Sequence, residues 1–180
     1  ASASSTRKLF ALHAQACIDA HDVAPSSVDD VDLSAIIERA VAPDADKSLR
    51  ELGARAALRV GLDEATISSL LRKPALLRAD TRARLLAKRA QFLVDAAKPR
   101  EAVRALSRAM ALSRETKDRR LEGELLVELG LVHHRAHRLD EARAMYERAL
   151  SFEALEAATK GRALCDLAAI AQDQVRFDEA

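Results

Sequence analysis

The chain contains no tryptophan, one tyrosine and only 3% aromatic residues, which excludes a core organised around large rings. Its 49% apolar content must therefore come from Ala, Leu and other compact side chains, which allow helices to pack closely. Cysteine is nearly absent. Cys17 and Cys165 lie far apart, each inside a helical pattern, which fits a reducing compartment rather than a disulfide framework. A cytoplasmic protein is expected. No apolar run approaches the ~20 residues needed to span a bilayer, and the opening ASASSTRK lacks the apolar segment of a secretory leader. Membrane insertion is therefore not expected. Motifs that carry chemistry are also missing. There is no G-x-S-x-G elbow and no Gly-rich phosphate loop, neither cysteine has an adjacent His-Asp arrangement, and the acidic residues are scattered. We expect neither an enzyme nor a bound cofactor.

Charge is plentiful, at 32% of residues, and unevenly placed. Residues 72–120 hold 15 basic and 5 acidic side chains, a net of +10, against −4 for residues 1–71 and −5 for residues 121–180. Such a basic middle attracts phosphate or an acidic peptide, or sits beside the acidic ends of its own chain. Arg100, Arg104 and Arg108 are four apart and form one solvated stripe of a helix.

The most informative stretch is LEGELLVELGLVHHRAHRLDEARAMYERAL, residues 121–150. Leu125, Leu126, Leu129 and Val132 recur at three- and four-residue spacing, as in a helix that buries one stripe. Gly130 lies in that stripe. A glycine inside a helix costs about 1 kcal/mol against alanine, so its use is to let another backbone come close. Ala142, Tyr146 and Ala149 give a second helix a face of two small residues and one ring, and a break at Ala136–Arg138 reverses the chain.

On these residues the chain resembles the tetratricopeptide repeat family, whose pattern falls on Leu129, Gly130, His133, Ala142, Tyr146 and Ala149. It departs at His133, where tyrosine is usual, and at His137, where the turn often has glycine. The tetrapeptide Leu139-Asp140-Glu141-Ala142 returns as Phe177-Asp178-Glu179-Ala180, and more loosely as Pro99-Arg100-Glu101-Ala102 and Leu62-Asp63-Glu64-Ala65. The intervals are 37 to 40 residues, longer than the 34 of the compact repeat. Longer helices or connections, for example around Glu115–Arg120, would account for the excess. The resemblance implies an all-α, right-handed solenoid of antiparallel helix hairpins. We divide it into residues 1–45, a helical cap or degenerate repeat; 46–80, a degenerate hairpin; and 81–180, repeats of which the last is cut short.

Taken in order, residues 6–21 read as a helix and Asp22–Asp30 as a loop. Leu33–Ala42 reads as a short helix capped by Asp32 and ended by Pro43. Lys47–Val60 follows, with Leu49, Leu52, Ala56 and Val60 inward and Gly61 as its stop. Asp63 caps a helix running to Arg72, before Pro74. Leu76–Ala97 reads as one long helix or two, with Leu85, Leu86, Ala90 and Leu93 inward. Pro99 opens the next, which buries Ala102, Leu106, Ala109 and Met110. Asp118 caps the helix of the central hairpin. Thr159 caps the last one, which is expected to bury Leu164, Leu167 and Ala168.

Gly61–Ala87 also resembles the turn, second helix and third helix of LacI-type helix-turn-helix repressors, through Gly61, Ala65, Thr66, Ser68, Leu71, Pro74, Thr81, Arg82, Arg84, Leu86 and Ala87. Asp63 and Glu64 fall at the edge that would face DNA, and Ser69 replaces an arginine. Backbone neutralisation dominates DNA affinity, so nucleic acid is disfavoured as a partner. A DNA-binding regulator with a repeat-built regulatory region is the alternative reading.

Two histidine groups have metal-ligand spacing, His13 with Cys17 and His21, and His133 with His134 and His137. Both lack the further ligands of a closed or catalytic zinc site, and a core role for His133 is the better reading. The repeat resemblance implies a concave wall lined by the first helix of each hairpin. Its residues here are Arg84, Lys88 and Gln91; then Glu124, Val127, Leu131 and His134; then Arg162, Cys165 and Ala169. Val127 and Leu131 stand where carboxylate-clamp members of the family carry Lys and Asn, which disfavours that ligand. The expected partner is a protein or peptide held in this groove, or a flanking domain of the same chain. The larger protein would be bacterial and regulatory or signalling.

Overall fold

A computed structural model describes residues 30–60 and 63–178, with side chains described for 33–60 and 63–172. The expected helix at 6–21, Gly61 and Ala180 lie outside the described residues, as does the His13, Cys17 and His21 group. The described residues are all-α, with no strand among them. The helices are α1 (Asp30–Val41), α2 (Lys47–Val60), α3 (Glu64–Leu71), α4 (Ala79–Asp95), α5 (Pro99–Glu115), α6 (Arg119–Arg135), α7 (Leu139–Leu150) and α8 (Ala157–Asp178), with a 3-10 turn at Pro74–Leu76. Two compact units meet in sequence between Leu85 and Leu86, inside α4.

In the first unit, α1 buries Leu33, Ile36 and Ala40. Asp32 lies within this helix rather than at its N-cap. Pro43 does end it. Asp46 then caps α2, accepting from the Leu49 backbone N–H at 2.8 Å. The expected inward face of α2 is partly corrected: Leu52 and Ala56 are buried, Leu49 and Val60 only half so, and Arg50 joins the core at 2% exposure. Its Nη2 donates to the Ala42 carbonyl at 3.1 Å, and its Nη1 to the Ser69 carbonyl at 3.4 Å. Both acceptors belong to helix C-terminal regions, whose last carbonyls have no partner within their helix. Asp63 caps α3, accepting from Thr66 N–H at 2.7 Å. Glu51 ties down the start of α4, taking the Arg78 backbone N–H at 2.8 Å and the Thr81 hydroxyl.

The second unit shows a regularity only partly visible in the sequence. Ala97, Lys117 and His137 all have φ near +56° and stand 20 residues apart. Each follows a 17-residue helix and closes it in the same way. The N–H of the next residue reaches back to a carbonyl in the last turn, at 2.7 Å from Lys98 to Leu93, 2.9 Å from Asp118 to Ser113 and 3.0 Å from Arg138 to His133. This is a Schellman turn built without glycine. The lengthened repeat is thereby explained: the connection at 116–118 is short, and the extra residues lie in the helices. A left-handed residue with a Cβ costs roughly 1 kcal/mol, partly offset by the greater freedom glycine has in the unfolded chain. Lys117 is exposed. Lys117→Gly is therefore expected to stabilise by about 0.5 kcal/mol, read as a rise in urea midpoint at unchanged slope.

Between these turns the buried stripes fall as expected on Leu86, Ala90 and Leu93 of α4, Ala102, Leu106, Ala109 and Met110 of α5, and Leu125, Leu126, Leu129 and Val132 of α6. Asp118 caps α6 through Leu121 N–H at 2.9 Å. Gly130 serves the purpose inferred for it. A Cβ there would stand 2.6 Å from the Tyr146 ring, so the ring of α7 lies flush on the α6 backbone. Gly123 receives Phe152 and Leu155, whose side chains an added Cβ would meet at 3.4 and 3.0 Å. Those two residues belong to the connection between α7 and α8.

Two expectations for α8 are corrected. The helix begins at Ala157, so Thr159 is inside it and is not its cap. Among its described side chains Ala163 and Ile170 are buried; Leu164 is 56% exposed, Ala168 is exposed and Leu167 is half-buried. An Ala- and Leu-rich helix carries two adjoining stripes of equal periodicity, and spacing alone does not choose between them.

Candidate functional site

The cleft of the second unit is built by the C-terminal half of α4, the C-terminal half of α6 and the start of α8. Its volume is about 250 Å³. The apolar floor is Ala90, Val94, Leu106, Leu131 and Val132. Across it run three polar contacts. Gln91 donates to Glu128 at 3.1 Å, Arg162 holds the other Glu128 oxygen at 2.7 Å, and Arg135 pairs with Asp95 at 2.9 Å. Glu128 is thus the centre, linking α4, α6 and α8, with its side chain only 13% exposed. Arg135 and Asp95 are 53% and 68% exposed, an ordinary surface pair.

Of the sequence-derived lining residues, the structure brings Gln91, Leu131 and Arg162 together in this cleft. His134 borders a second, wider hollow of about 610 Å³ that shares Val94, Val132 and Arg135 with the first. The others sit elsewhere. Val127 is 1% exposed, so it is core and not groove wall. Lys88 is exposed and reaches Gln91 Oε1 at 3.4 Å, Glu124 accepts from Arg120 at 2.9 Å, Cys165 is exposed, and Ala169 is half-buried; none of these four lines either hollow. Arg84 is half-buried and belongs to the first unit.

Glu128, Asp95 and Arg135 were not anticipated. The signal for two of them was present. The α6 stripe 124, 128, 131, 135 has the same helical spacing as 124, 127, 131, 134, and the apolar Val127 marks the second as the inward one.

The same helix carries a second buried carboxylate at its other end. Glu122, its side chain 3% exposed, accepts from Arg114 and Arg119, each at 3.0 Å, with Arg148 at 3.8 Å. Arg119 also lies over the Phe152 ring, 4.9 Å from its centroid. This network joins α5, α6 and α7.

His133 is half-buried, and its buried Nδ1 has no hydrogen-bond partner among the described residues. Burial, reinforced by Arg138 and opposed by Glu141, lowers its pKa below the ordinary imidazole value. The unfolded chain therefore binds more protons between that lowered value and about 6.5. Stability is complete above roughly pH 6.5 and falls as pH drops through the folded value. His133→Tyr is expected to flatten the decline in Tm between pH 7 and pH 5, measured against the parent chain by circular dichroism. Tyr146 behaves differently: burial first, then the Asp166 carboxylate, raise its pKa, and the phenol stays neutral.

No three His, Cys, Asp or Glu side chains converge to hold a metal ion among the described residues. None of the described helices is long and apolar enough to cross a membrane. On the helix-turn-helix stretch, Asp63 and Glu64 are both exposed at the start of α3. The hydrogen bond from Thr66 lowers the Asp63 pKa, so the edge stays anionic. Such an edge repels phosphate.

Residues 81–152 match the family model described as tetratricopeptide repeat. No curated protein and no solved structure matches the chain.

Proposed function

From residues 81–152 being tetratricopeptide repeats, and so a protein-interaction scaffold in general terms, we propose that this chain holds a peptide or helix of its partner in the cleft between α4, α6 and α8. The observation that carries the reading is the cleft itself. An apolar floor with a few fixed polar groups is what a recognition site requires, since the floor supplies burial and the polar groups supply orientation. Glu128 is held by Gln91 and Arg162 before any partner arrives, so its orientation need not be paid for on binding. The reading contains no catalytic step and no cofactor. The repeat resemblance supports a place in a larger bacterial regulatory or signalling protein, where a flanking domain is a further source of the bound segment.

The test is selection from a random-peptide display library over the immobilised chain. Enriched clones should be retained by the parent chain. They should be lost by at least about tenfold from Leu131→Glu, which places a charge on the half-buried floor at a cost of more than 1 kcal/mol to an apolar anchor. Equal retention by the variant would remove the cleft from the account.

A further inference from the structure

The wider hollow beside the cleft has a charge character of its own. Its floor is Val94, Ala97, Pro99 and Val132, and its remaining lining residues are His134, Arg135 and His137, with no acidic side chain. It lies where two successive first-to-second-helix turns, those of Ala97 and His137, come side by side. Arg135 borders both hollows. Its carboxylate partner, Asp95, lines the cleft and not the wider hollow.

The two ion pairs of this face differ in kind. Glu128 is largely buried and doubly held, so the Glu128–Arg162 pair is part of the fold. The Asp95–Arg135 pair is exposed on both sides and rests on a single contact of 2.9 Å. Exposed pairs of this type contribute little net stability, because each partner regains water when they part. A guanidinium presents five donors, and an incoming carboxylate able to engage two at once outcompetes a single-contact partner.

We propose that Asp95 is an internal competitor: it occupies Arg135 until a partner carboxylate replaces it, and the hollow takes an aliphatic side chain of the same partner segment. The partner chemistry is an acidic peptide in which Asp or Glu adjoins a branched aliphatic residue. The proposal deepens the groove reading and rests on it. The competing explanation is that the pair merely ties α4 to α6.

The probe is the capped tetrapeptide Ac-Leu-Glu-Leu-Glu-NH2, with its Gln and Lys counterparts and an uncapped form ending in a free carboxylate. Each is titrated into the full chain and followed by amide shifts at Val94, Val132 and Arg135. Asp95→Asn should tighten the Glu probe about threefold, the scale of an exposed ion pair, and leave the Gln probe unchanged. Arg135→Gln should weaken the Glu probe at least about fivefold, and Arg135→Lys should restore part of the loss. Melting curves of each variant separate lost binding from lost folding. A gain in the capped form supports the side-chain carboxylate proposed here, and a gain confined to the uncapped form would assign the carboxylate to a chain end and overturn it. Preference for the Lys probe, failure of the Glu probe to bind, or an affinity indifferent to residue 95 overturns it. If Leu131→Glu abolishes retention of the selected display clones while residues 95 and 135 are silent, the groove reading stands and this inference alone falls.

Discussion

Gly53→Ala should be among the most destabilising single-methyl changes this chain can carry, and Ala40→Gly should largely repair it. A Cβ built on Gly53 of α2 would stand 2.0 Å from the Ala40 Cβ of α1 and 3.3 Å from the Ile36 carbonyl oxygen. Neither obstacle is the flexible end of a side chain, so relief requires the two helices to move apart. That movement would loosen the contacts made by Leu33, Ile36 and Leu52, and overpacking of this kind costs about 3 kcal/mol. In the double variant the methyl group has only changed sides. One glycine remains in a helix, and the intrinsic helix penalty is unchanged. What persists is the tight contact with the Ile36 carbonyl oxygen at 3.3 Å. Urea unfolding of the four members of the cycle reads a coupling energy of about 2 kcal/mol or more. Additive losses would mean that α1 and α2 do not approach through these two residues.

How much of this was legible follows from what each residue's neighbours are. Gly130, Ala142, Tyr146 and the Ala136–Arg138 break could be read because the contact they make is local: a ring from the next helix needs a gap one hairpin away. The lengthening of the repeat was visible as an interval, but its cause was not. Left-handed residues at Ala97, Lys117 and His137 carry no glycine to announce them. In α8 two adjacent stripes satisfy one periodicity, and the buried Ala163 and Ile170 are not distinguished from the exposed Leu164 by spacing alone. The cleft was half legible. Gln91, Leu131 and Arg162 were reached by matching residue types to the family, whereas Glu128, Asp95 and Arg135 meet at the cleft through pairings 34 to 40 residues apart in the chain. Such pairings leave no mark in a single sequence.

Arg50 is the strongest case of a residue whose type misleads. In α2 it follows Leu49 and would be assigned to the solvent side, yet it is 2% exposed and sits where the ends of α1 and α3 converge. Two effects oppose each other at this site. Burying a guanidinium costs several kcal/mol, and its Nε has no partner among the described residues. Against that, Nη1 and Nη2 give a second hydrogen bond to carbonyls near two helix ends, and hydrogen bonds from a charged donor contribute about 1.5 to 3 kcal/mol each. Arg50→Ala removes the donors and leaves a cavity, so a loss of about 3 kcal/mol is expected by chemical denaturation. Arg50→Met keeps most of the apolar volume and releases the desolvation cost, while the two carbonyls keep their turn hydrogen bonds from the Ala45 and Arg72 N–H groups, and should lose about 1 kcal/mol. Arg50→Lys carries one compact charge that reaches a single carbonyl and should fall between them. If methionine were instead the worst of the three, shape would be secondary and the charge itself would be holding the α1 and α3 ends together.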